Sequence, residues 1–134
     1  MQRILLLLNL ALTLPSLTLR SSGDKRTDLF RAIRSVESSG NMWAVGDDGL
    51  SIGPYQISYD FWLDAGRQGP GRKRGAWVHC IFQPYAERTM TAYWKLYGPE
   101  VPSYEQLSRI HNGGPNGHNK PQTKQYWRKV QARL

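Results

Sequence analysis

The chain has 134 residues, 40% of them hydrophobic and 21% charged, which is enough for one core and too little for a second domain, so large multidomain enzymes are excluded. Five Trp, seven Tyr and three Phe supply bulky apolar surface, and this excludes a disordered chain. Eighteen Lys and Arg against ten Asp and Glu leave a formal charge of +8, which favours polyanionic partners such as nucleic acid, anionic lipid or an anionic wall polymer.

The first segment, Met1 to Pro15, has a basic start at Arg3 and an apolar run from Ile4 to Leu14. The run is short for a bilayer and has the form of a signal peptide. Residues 1–20 are therefore expected to be a leader cut between Ser16 and Ser22, with residues 21–134 forming a secreted, extracellular domain that has no transmembrane segment. Asp28 is placed as the N-cap of a first helix with Leu29, Ile33 and Val36 on one face, Glu37 in its last turn and Gly40 as its stop. Met42 to Leu50 holds Gly46-Asp47-Asp48-Gly49 between apolar residues and predicts a small β-hairpin. Ser58 caps a second helix through Phe61, Trp62 and Leu63, ending at Gly66. Arg67 to Gly75 is a basic, Gly-rich loop containing Arg72-Lys73-Arg74. The apolar positions from Trp77 to Tyr97 recur at helical spacing around a break or kink at Pro84, which makes this the central core helix. Ser103 and Gln106 form a capping box for a short helix reaching Ile110, and Thr123 caps a final basic helix with Tyr126, Trp127, Val130 and Leu134. These elements predict an α+β domain, mainly helical, with one small hairpin.

A secreted chain of this size usually has an even set of cysteines, yet Cys80 stands alone, so no intramolecular disulfide can form and stability must come from packing. Cysteine-based zinc sites are excluded, His79, His111 and His118 lack a metal-site spacing, and no cofactor is expected. Asn112 to Gly117 is Gly-rich but lacks the Lys-Ser/Thr ending of a phosphate loop.

The most informative pair is Glu37 and Asp47, ten residues apart. Glycosidic cleavage needs one protonated carboxyl to protonate the leaving oxygen and one ionised carboxyl to attack or stabilise the sugar cation. Their expected surroundings differ in that sense: Glu37 stands at the negative end of a helix dipole among apolar neighbours, and Asp47 stands in a polar, Gly-flanked turn. By spacing alone the signal is weak, since two acids ten residues apart are more often a solvated helix end and a turn aspartate. Tyr55 and Gln56 are candidates for sugar contact, Tyr55 by stacking, with a core role for at least one of them as the alternative. His111 and Asn112, at the opening of a Gly-rich loop, are candidates for hydrogen bonding to N-acetyl or hydroxyl groups, the alternative being a loop held by its own backbone. Trp62 and Cys80 read as core residues, and the basic runs as solvated faces that can steer encounter.

Taken together, Val36-Glu37-Ser38-Ser39, the run Gly46-Asp47-Asp48-Gly49-Leu50-Ser51-Ile52-Gly53-Pro54-Tyr55-Gln56-Ile57, Trp62-Leu63-Asp64-Ala65-Gly66, Arg109 to Gly117 and Tyr126 to Val130 resemble the invertebrate-type (destabilase) lysozyme family. The resemblance runs in order from about Leu29 to Val130. It implies a lysozyme-like fold, Glu37 as general acid, Asp47 as second carboxylate and bacterial peptidoglycan as substrate, with the β-1,4 bond between N-acetylmuramic acid and N-acetylglucosamine hydrolysed. Under this reading nucleic acid is not an expected partner, and the charge favours contact with anionic cell surfaces. The chain is one residue shorter than the common family pattern between the aspartate and Gly53, which leaves Asp48 as an alternative to Asp47. Family cysteine positions are occupied by Ala32, Arg34, Ile52, Ala65, Tyr104 and His118, marking a cysteine-poor member. The isopeptidase activity ascribed to some members rests on a Ser and Lys pair; Ser58 stands at the lysine position and the serine falls in the deletion, so that activity is not carried over. Two other readings compete with a muramidase: a lytic transglycosylase working with one Glu, and a cationic antibacterial protein that needs no catalysis.

Overall fold

The computed structural model describes residues 22–66 and 75–134. The expected leader at 1–20 and the basic run Arg72-Lys73-Arg74 lie outside the described residues.

Helix α1 covers Ser22–Ser38. It begins before the expected cap: Asp28 lies inside the helix with Oδ1 2.9 Å from Arg31 Nη2, an i,i+3 ion pair that suits a helix interior. Its end follows the sequence reading, because Ser39 and Gly40 turn the chain with φ of +54° and +84°. The hairpin also forms. Strands β1 (Val45–Gly46) and β2 (Ser51–Ile52) pair antiparallel, Val45 opposite Ile52 and Gly46 opposite Ser51, around a 3₁₀ turn at Asp47–Gly49. Strand β3 (Ile57–Ser58) adds to β2 and makes a three-stranded sheet. Two-residue strands show no alternation, and so β3 leaves no sequence signal.

Helix α2 (Tyr59–Ala65) starts as expected, with Ser58 Oγ accepting from the Phe61 amide at 3.2 Å. The break expected at Pro84 falls at Phe82, between a 3₁₀ turn at Trp77–Ile81 and helix α3 (Gln83–Tyr97). Pro84 lies in the first turn of α3, where the missing N–H costs no intrahelical bond. Helix α4 (Tyr104–Gly113) has the expected capping box between Ser103 and Gln106 but continues past Ile110, so His111 and Asn112 belong to its last turn and not to the following loop. Helix α5 covers Thr123–Gln131. Thr123 does not cap it. The Thr123 hydroxyl is buried, 2.7 Å from the Gly117 carbonyl and 2.8 Å from that of Lys120, and it accepts from Arg109 Nε at 2.9 Å.

One core joins these elements. Leu29, Phe30, Ala32 and Ile33 of α1 meet Ala86, Met90, Tyr93 and Trp94 of α3, Leu107 and Ile110 of α4, and Tyr126 and Val130 of α5. Phe30 stacks on Trp94 with ring centroids 5.4 Å apart, and Phe61 stacks on Tyr93 at 3.7 Å. Two positions that would hold cysteine in the resembled family, Ala32 and Ala65, are core residues here, and Ile52 and Tyr104 pack against the core. The fold is thus α+β and mainly helical, with a small antiparallel sheet, as expected. Its packing brings α5 against the end of α1 and against α4, and this decides the surroundings of Glu37.

Candidate active site

Glu37 occupies the last turn of α1, with its side chain 18% exposed. The Tyr126 hydroxyl donates to Glu37 Oε1 at 2.6 Å, across 89 residues of sequence. His111 Nε2 lies 3.4 Å from the same oxygen and 3.0 Å from the Tyr55 carbonyl. Both neighbours of Nε2 are acceptors, so Nε2 holds the imidazole proton, and Nδ1 is buried with no partner among the described residues. Burial, followed by the charge of Glu37 and its hydrogen bond, raises the Tyr126 phenol well above its ordinary range, which keeps it a donor.

Asp47 and Asp48 sit in the hairpin turn with φ of +52° and +54°, a left-handed conformation that Asp tolerates. Both are exposed. Ser51 Oγ donates to Asp47 Oδ2 at 2.8 Å, and Ser51 is itself buried, which fixes the direction of that carboxylate.

The segment from Gly53 to Ile57 sets its backbone against the ends of α1 and α4. The Pro54 carbonyl accepts from Ser38 Oγ at 2.8 Å, next to Glu37, and the Tyr55 carbonyl faces His111. Tyr55 is fully buried and its hydroxyl donates to Glu87 Oε1 at 2.5 Å. The ring has no free face for a sugar, so of the two readings given to Tyr55 the packing leaves the core role. Gln56 Nε2 donates to the Ala44 and Gly53 carbonyls at 3.1 and 2.9 Å, bracing the hairpin from within. Gly53, at φ +79°, lies so close to the 3₁₀ turn that a Cβ would stand 2.3 Å from the Cys80 carbonyl. His111 is buried between Phe61 and Tyr126, under Glu37, whereas Asn112 is exposed. Among the described residues no group of three or more His, Cys, Asp or Glu is arranged to hold a metal ion.

The destabilase family profile matches residues 27–133, nearly the whole described chain. The chain belongs to the destabilase family. It is 36% identical over 120 residues to Lysozyme 1 of Crassostrea virginica, covering 84% of this chain and 61% of the oyster protein. Invertebrate-type lysozyme 6 of Caenorhabditis elegans is 30% identical over 119 residues, covering 79% of this chain and 85% of the relative. The chain thus spans about three fifths of the length of the oyster relatives it matches. Among solved structures, the Tapes japonica lysozyme superposes with a TM-score of 0.64 at 28% identity over 78% of this chain and 86% of that one. Inhibitor-bound lysozyme from Meretrix lusoria gives 0.65 at 31% identity over 78% and 87%.

Sequence reasoning therefore finds the family and places Glu37 at the end of α1 but misses Tyr126 as the nearest partner of that carboxyl. The one available signal is chemical: a tyrosine on the apolar stripe Thr123, Tyr126, Val130 must bury its hydroxyl, and a buried hydroxyl needs a partner. Nothing in the sequence says which.

Proposed function

We propose that this destabilase-family chain is a secreted muramidase that hydrolyses the β-1,4 bond between N-acetylmuramic acid and N-acetylglucosamine in bacterial peptidoglycan. The observation that carries this reading is Glu37, a partly exposed carboxyl at a helix end whose Oε1 faces the Tyr126 hydroxyl and the His111 ring, in a fold shared with lysozymes. Glu37 is the general acid for the leaving oxygen. Asp47 is the second carboxylate; the Ser51 hydrogen bond that orients it supports Asp47 over Asp48. Asn112, exposed at the end of α4 one residue beyond His111, is the remaining candidate for contact with the sugar chain. Secretion rests on the signal-like leader, and among the described residues no helix is long and apolar enough to cross a membrane.

The test is digestion of purified peptidoglycan followed by mass spectrometry. Hydrolysis adds one water per cleaved bond; an anhydro sugar would support the lytic transglycosylase reading. Glu37→Gln keeps the shape and removes the acid, and turnover is expected to fall by at least ~10²-fold. Asp47→Asn should also be severe and Asp48→Asn mild; the reverse order moves the second carboxylate to Asp48. Killing of bacteria by a Glu37→Gln protein that releases no fragments would instead favour the non-enzymatic cationic reading.

A further inference from the structure

One oxygen of Glu37 receives a hydrogen bond and has an imidazole beside it. The Tyr126 hydroxyl donates to Oε1 at 2.6 Å, and His111 Nε2, whose proton is directed by the Tyr55 carbonyl, is 3.4 Å from the same atom. A carboxylic acid carries its proton on one oxygen and accepts on the other, and an oxygen that receives a donated hydrogen bond is the accepting one. We propose that Tyr126 and His111 are positioning residues, Tyr126 by donating to Glu37 Oε1 and holding it as the acceptor and His111 by packing beside that oxygen, and that they thereby reserve Oε2 as the oxygen that delivers the proton to the glycosidic oxygen. This rests on the reading of Glu37 as the general acid.

The arrangement is braced from three elements. Tyr126 comes from α5, where Thr123 and Val130 are buried on the same face. His111 comes from the last turn of α4, held edge-on by Phe61 at 5.5 Å between centroids. The Tyr55 carbonyl comes from the loop between β2 and β3, and its position is fixed by the fully buried Tyr55 ring and the bond from its hydroxyl to Glu87. A glutamate on a helix end has several side-chain torsions free in water, and a hydrogen bond from a buried, rigid phenol removes much of that freedom before substrate arrives. His111 makes no hydrogen bond to that oxygen, its Nε2 being bonded to the Tyr55 carbonyl, so its effect is expected to be the smaller.

The experiment compares Tyr126→Phe, His111→Gln and His111→Leu with the unmodified protein on a soluble chitooligosaccharide, with Glu37→Gln as control. Tyr126→Phe retains the ring and its packing while losing the donor, and kcat is expected to fall by about tenfold with KM within about twofold, because the phenol touches the acid and not the sugar. His111→Gln keeps an N–H donor for the Tyr55 carbonyl and should retain most of kcat, whereas His111→Leu should lose several-fold more. A structural role alone would lower the melting temperature and leave kcat per folded molecule intact. Unchanged kcat in both Tyr126→Phe and His111→Leu, or a change confined to KM, overturns the positioning proposal. If Glu37→Gln turns over as fast as the unmodified protein, or the unmodified protein cleaves no glycan, the acid reading falls and the positioning proposal with it. Inactive Glu37→Gln beside fully active Tyr126→Phe and His111→Leu rejects positioning alone.

Discussion

At the scale of single residues, burial decides what each polar group can do. Tyr55, Tyr93 and Tyr126 are all nearly or wholly buried, and desolvation is the main cause that raises each phenol above its ordinary value. In the unfolded chain the same phenols ionise near about 10. A folded value above the unfolded one means that the stability from these groups is complete below that pH and is lost as pH rises toward the folded values. The melting temperature is therefore expected to stay level through mildly alkaline pH and to decline above about pH 10. Tyr126→Phe should decline less steeply than the unmodified protein over the same range, and parallel curves would show that Tyr126 does not contribute. Cys80 shows the same effect: burial pushes its thiol up to about 12, which fits an inert core residue.

At the scale of elements, the connection between α4 and α5 is where close backbone approach matters most. A Cβ on Gly117 would stand 2.1 Å from the Arg109 carbonyl, and the neighbouring Thr123 hydroxyl ties the same turn to Arg109 and Lys120. Gly117→Ala must push backbone apart and is expected to destabilise the fold by about 3 kcal/mol in urea unfolding. Gly49, in the hairpin turn at φ +92°, offers a contrast, since a Cβ there meets nothing within 4 Å. Gly49→Ala carries only the left-handed strain of about 1 kcal/mol. Equal losses for the two would show that space is not what distinguishes them. Arg109 also belongs to this connection. Its guanidinium is buried against Glu105, Thr123 and the Lys120 carbonyl, so it acts as a structural clamp and not as a surface charge, contrary to what its place among the C-terminal basic residues suggests.

For the whole molecule, the net charge of +8 is distributed so that α5 presents Lys124, Arg128 and Lys129 to solvent. These are the residues expected to steer the protein to an anionic wall. Added salt should therefore reduce activity on intact cells, because the Debye length is about 8 Å at physiological ionic strength. Hydrolysis of a neutral chitooligosaccharide should change little over the same range. A variant with Lys124, Arg128 and Lys129 replaced by Gln should lose much of the salt response on cells. Equal salt sensitivity on the charged and the neutral substrate would place the effect in the fold and reject steering.

Local chemistry was legible in the sequence at the caps of α2 and α4 and at the end of α1, and was misread at Asp28 and Thr123. Ser58 and Ser103 cap α2 and α4 because a hydroxyl reaches an amide three residues on, and Gly40 ends α1 because it accepts a left-handed turn. The order of motifs from Val36 to Val130 was enough to identify the family. The roles of Tyr55, Gln56, His111 and Thr123 depend on contacts between segments distant in sequence, and none of those contacts leaves a periodic trace. The Gly53-Pro54-Tyr55-Gln56-Ile57 motif is distinctive, yet its carbonyls and buried side chains brace the site from behind. Sequence determined which carboxyl ends the first helix, since capping and dipole are properties of one segment. Only the tertiary structure decided that Tyr126 and His111 stand at one oxygen of it, since that juxtaposition is set by how α4 and α5 close on α1 in the common core.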